Sequence, residues 1–131
     1  MTFKILRAAA VGLTLVAFSA PSFAAADNYE FQAVSGELKA GKGRLISVKL
    51  IDKRTKQPVP GAVFVSTVLD MSPENMADVK GRIAPDKSTD PAIYHFKADL
   101  EMSGVWALKL QAKIPNEGHA VQGVLILRAN D

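Results

Sequence analysis

"VWALKLQAKI", residues 105–114, places Trp106, Leu108, Leu110, Ala112 and Ile114 on one side of the chain and Lys109, Gln111 and Lys113 on the other. An apolar residue at every second position marks a β-strand with one buried and one wet face. The same period extends outward in both directions. "YHFKADLEM" (94–102) aligns Tyr94, Phe96, Ala98, Leu100 and Met102 against His95, Lys97, Asp99 and Glu101. "YEFQAV" alternates Tyr29, Phe31 and Ala33 with Glu30 and Gln32, and "LISVKLID" puts Ile46, Val48 and Leu50 on one face. "AVFVSTVL" (62–69) and "VQGVLILR" (121–128) are apolar on both faces, the pattern expected of more central strands.

Turn chemistry separates these runs. "DKRTKQPVPG" (52–61), "PDKSTDP" (85–91) and "PNEG" (115–118) each carry proline, glycine or both, and "SGELKAGKG" (35–43) reads as a loop or a short edge strand broken by bends. No stretch sustains a helical period. The expectation is an all-β protein, an immunoglobulin-like antiparallel β-sandwich of about seven strands.

The N-terminus has the layout of a secretory signal peptide: Lys4 and Arg7, an apolar run from Ala8 to Ala20, then small residues that place cleavage after Ala24 or Ala26. An uncleaved membrane anchor is the alternative reading. Residues 1–26 are therefore read as the signal and 27–131 as one domain, of a size that a single core supports. Cleavage removes two of the 16 basic residues, leaving 14 against 13 acidic ones, so most of the formal charge of +3 belongs to the discarded segment. No basic stripe interleaved with aromatics remains, which argues against nucleic acid as a partner. No later stretch is long and apolar enough to span a bilayer. The expected location is the periplasm.

The chain has no cysteine, so disulfides, nucleophilic thiols and thiolate metal sites are excluded. It also lacks a nucleophile elbow, a P-loop, a dinucleotide fingerprint and a paired-histidine helix, so an enzyme is not expected. Trp106 is read as core and His95 as surface. The stretch "DMSPENM" (70–76) is the candidate site, because a strand end and a turn set Met71 and Met76 close together. Two readings stand: a pair capping the core, or soft thioether ligands suited to Cu(I). Asp70 and Glu74 beside them would favour a cation. Met102, in register with Leu100, is read chiefly as strand-end packing, and His119 lies in a turn where a ligand role is unforced.

"PVPGAVFV", "LDMSPENM", "AIYHFKADL" and "MSGVWALKLQAKI" occur in an order and spacing that resemble the FixH-like and YtkA-like families of exported bacterial domains, over roughly residues 45–127. The resemblance implies an immunoglobulin-like sandwich in the periplasm, associated with copper handling, with heavy-metal efflux or with cytochrome oxidase assembly components. Relatives often carry a denser methionine stretch. With only Met71 and Met76 here, a third ligand would come from Met102, His119, His95 or a partner. Two functions are expected from these residues. The first is a periplasmic accessory protein that holds Cu(I) at Met71, Met76, Met102 and His119 and delivers it to an efflux or oxidase-assembly partner. The second is a metal-free module docking on a membrane complex through a sheet face or edge.

Overall fold

The computed structural model of the protein describes residues 28–35 and 37–131. Ten strands follow in order: β1 (Tyr29–Ala33), β2 (Glu37–Lys39), β3 (Gly41–Asp52), β4 (Gln57–Pro58), β5 (Val63–Met71), β6 (Met76–Gly81), β7 (Ile83–Asp86), β8 (Tyr94–Leu100), β9 (Gly104–Lys113) and β10 (Ala120–Asn130). A single 3-10 turn, Ser72–Glu74, joins β5 to β6, and the described residues contain no α-helix. One sheet runs β1-β3-β8-β7 with β4 added to β3, and the other runs β2-β10-β9-β5-β6. All pairings are antiparallel except β2 with β10.

The two sheets form the expected sandwich, with ten strands where about seven were expected. The additions include β2, β4 and β7, of three, two and four residues. Runs that short contain at most two repeats of a period of two, so periodicity alone does not reveal them. The signal-peptide reading falls on residues outside those described. Among the described residues, no helix is long and apolar enough to cross a membrane.

The inner faces follow the alternation. Ile46, Val48 and Leu50 of β3 join Phe96, Ala98 and Leu100 of β8, Trp106, Leu108, Leu110 and Ala112 of β9, and Ile114 just beyond it in one core. Trp106 is 1% exposed, and its indole N–H donates to the Met102 carbonyl (3.1 Å), which satisfies its one polar atom.

Two readings change. Strict alternation would set Val63, Val65, Leu69 and Met71 on one face of β5. A bulge between Phe64 and Ser66 resets the register, so Phe64 turns inward while Val63 and Val65 stay outside. Phe64 then stacks edge-on against Phe96 and Tyr94, with both ring centroids at 5.1 Å. β5 and β10 hold the more central positions that their two-sided apolar pattern led one to expect, and no second layer covers their outer face among the described residues. Finally, β8 ends at Leu100, so Met102 leaves the register and is 44% exposed.

Candidate functional site

The segment "DMSPENM" folds into a closed turn in which nearly every side chain has a structural task. Pro73 occupies the first turn of the 3-10 element, and Asn75, left-handed at φ 61°, ends it with its N–H on the Ser72 carbonyl (2.9 Å). Asp70 starts it: Oδ1 accepts the Ser72 N–H (3.0 Å), as an aspartate ahead of a turn commonly does. Its Oδ2 accepts from Lys109 Nζ (2.9 Å) on the neighbouring strand. Asp70 is the buried charged residue of the described structure, at 2% exposure. Burial pushes its carboxyl up, but the hydrogen bonds from Ser72 and Lys109 and the Lys109 charge outweigh it and hold it at about 2.

Glu74 and Met71 then fasten the turn to the start of β9. Glu74 Oε2 accepts the Val105 N–H (2.8 Å). Gly104 has φ 138°, and a Cβ there would lie 2.8 Å from Met71 Cε and 2.9 Å from Glu74 Oε2. The backbone there favours glycine, and any side chain would also have to displace the tips of Met71 and Glu74. "DMSPEN" and "SGVW" are two halves of one interlock.

Of the four sequence-selected ligands, the structure brings two together. Met71 and Met76 are cross-strand partners at the β5–β6 turn. Met71 is sealed in the core at 1% exposure, and Met76 is half-buried against that core. Met102 lies just before β9, at the same end of the sandwich, with its side chain toward solvent. His119 does not join them. It follows β9 at the strand's other end, about 30 Å away at ~3.3 Å per residue. There it sits two residues beyond Glu117, whose carboxylate accepts from the Tyr29 hydroxyl (2.7 Å). Sequence spacing could not show this for Met71 and Met76, because the end of β9 they reach depends on the antiparallel pairing of β5 with β9. His95 is also elsewhere, with Nδ1 3.2 Å from the Lys87 carbonyl. Asp70 and Glu74, expected to lend the methionines a negative field, are engaged by Lys109 and by a backbone N–H. Among the described residues, no group of three or more histidines and carboxylates could hold a metal ion.

Both halves of the interlock fall within residues 23–111, which match the YtkA-like family model. The chain belongs to the YtkA-like family. No curated protein matches this YtkA-like chain. Among solved structures it is similar to the "ZirS C-terminal Domain", at 14% identity and a TM-score of 0.49, over 95% of this chain and 87% of that one.

Sequence reasoning missed a second feature of this YtkA-like domain, on the outer face of the β2-β10-β9-β5-β6 sheet. Eight large hydrophobic side chains are exposed among the described residues, and five of them (Val63, Val65, Val68, Val124 and Ile126) lie on this face. Val68 and Val124 flank Lys109 in register, and Ile126 lies beside Ala107 one step along. Lys80, Lys113 and Arg128 stand on the same face. The signal was present in the two-sided apolar pattern of β5 and β10, which the sequence analysis took only as the mark of central strands.

Proposed function

We propose that this YtkA-like chain is an exported, non-enzymatic accessory domain of the periplasm that docks on a partner protein through the outer face of its β10-β9-β5 strands. The observation that carries this reading is the gathering of Val63, Val65, Val68, Val124 and Ile126 on one sheet face. Scattered exposed hydrophobics need no explanation, whereas five on one sheet face, in two rows either side of Lys109 and Gln111 of β9, favour an interaction surface. Lys80, Lys113 and Arg128 around it favour a partner with an apolar strip bordered by carboxylates. A component of a heavy-metal efflux system or of cytochrome oxidase assembly is the partner class we infer from the family resemblance. The test is sedimentation of the purified protein with membranes of its own cell. Saturable binding that is lost in the Val124→Asp, Ile126→Asp variant supports the reading. Binding that the variant keeps sinks it.

A second reading is favoured by one observation, the cross-strand pairing of Met71 with Met76. In it, the pair and the nearby Met102 hold Cu(I) and pass it to the same class of partner. Burial of Met71 then requires the β5–β6 turn to open before the ion can reach its sulfur. Titration with Cu(I) under reducing conditions separates the readings. The carrier binds as the parent and fails as Met71→Leu, Met76→Leu, while the docking domain gives no such difference.

A further inference from the structure

The second sheet has an opening on its other side. β6 pairs only with Leu69, Asp70 and Met71, so the first two-thirds of β5 is bonded to β9 on one edge and has no backbone partner on the other among the described residues. Next to this edge the two sheets part around a cleft of about 500 Å³, lined by Phe64, by Pro85 and Asp86 at the end of β7, and by Asp90, Ile93 and Tyr94 leading into β8. A mostly apolar cavity of this size with a few polar groups is the usual form of a recognition site.

The floor is pre-built. Phe64 is fixed edge-on between Tyr94 and Phe96. The Tyr94 hydroxyl donates to the Val59 carbonyl and accepts the Ala62 N–H (3.0 Å), which anchors the loop entering β5. The walls carry two carboxylates, with His95 opposite Asp86 in register. Asp86 Oδ1 accepts the Lys87 N–H (2.9 Å) and Asp90 Oδ1 accepts the Ala92 N–H (2.9 Å), while the second oxygen of each carboxylate has no protein donor among the described residues.

We infer that this cleft and the free edge of β5 take a short, extended, basic peptide segment of the partner. The segment pairs its backbone with Val63–Thr67 and directs alternate side chains inward, where a lysine or arginine stem lies on Phe64 and Ile93 and its charge meets Asp86 and Asp90. Backbone pairing supplies affinity and the pockets under alternate residues supply specificity, as in other strand-addition complexes. On this edge only Val63 to Val68 of β5 lack a backbone partner among the described residues, so a short segment fits and a long ladder does not. This inference rests on the docking reading but uses a different surface from the outer face.

The experiment is nuclear magnetic resonance titration of the ¹⁵N-labelled protein with a capped peptide alternating lysine and valine, beside its glutamate–valine counterpart. The lysine peptide is expected to shift amides of β5 and of the β7–β8 loop, with affinity falling as salt rises. The Asp86→Asn, Asp90→Asn variant should bind about tenfold more weakly, the upper end of what two exposed charge contacts supply. The Val124→Asp, Ile126→Asp variant should bind it unchanged. Shifts confined to the outer face, or equal binding of the glutamate peptide, overturn the inference, as does the absence of any shift at millimolar peptide. Membrane docking that survives such a result leaves the outer-face reading standing, and loss of docking with peptide binding intact has the opposite meaning.

Discussion

The β5–β6 turn and the start of β5 are two ends of one strand, and they are built to opposite rules. At the turn, Met71 fills the space over Gly104, Asp70 is held by Ser72 and Lys109, and Glu74 holds the Val105 N–H. At the start, among the described residues, one strand edge has no partner, valines face solvent, and Asp86 and Asp90 each have an oxygen without a donor. The first end is spent on holding the fold, and the second is available to something else. A residue pattern that stands out in a sequence can therefore be the fastening, while the working surface lies where the pattern looks ordinary.

The largest effects should come from breaking the fastened end. Trp106→Ala removes a side chain at the centre of that region and should destabilise by about 3–5 kcal/mol in thermal or urea melts. Coincident melts of the two proteins would place Trp106 outside the core. Gly104→Ala should follow at roughly 2–4 kcal/mol, because φ 138° disfavours a side chain and the new methyl would press on Met71 and Glu74. A melting temperature equal to that of the parent would mean that the two halves do not interlock.

Asp70→Asn should cost about 2 kcal/mol at neutral pH. The folded-state carboxyl lies at about 2, below its ordinary 3.8, and ~1.4 kcal/mol accompanies each tenfold change in proton affinity. A depressed pKa gives stability that is fully present above about pH 4 and is lost as pH falls through about 2. Urea midpoints of the parent should drop across that window, and those of Asp70→Asn should drop less. Met71→Leu, Met76→Leu should cost below about 1.5 kcal/mol per site, since leucine keeps the volume and apolar character of methionine. The smallest effect belongs to the open side. Val124→Asp, Ile126→Asp should leave the urea midpoint within about 0.5 kcal/mol of the parent, because both side chains already face solvent. A larger loss would mean that the outer face supports the fold.

The sequence by itself determined the class of fold and most of the inner faces. Alternation in "VWALKLQAKI" and "YHFKADLEM" assigned Trp106, Leu108, Leu110, Phe96, Ala98 and Leu100 to the core, and each is buried. This works because the side-chain period of a strand is a local property of the backbone, fixed wherever one face meets apolar neighbours. The same rule failed at Val63 and Val65, where one extra residue in the ladder reverses the faces without any mark in the composition. It failed at Met102, where the strand stops two residues short. Only the tertiary structure decided the candidate site. Met71 and Met76 are near in sequence and their meeting was legible, whereas the distance of His119, the approach of Met71 to Gly104 and the pairing of Asp70 with Lys109 depend on which strands become neighbours. Strand order is set by the global burial of apolar faces, a sum over the whole chain that no single stretch contains.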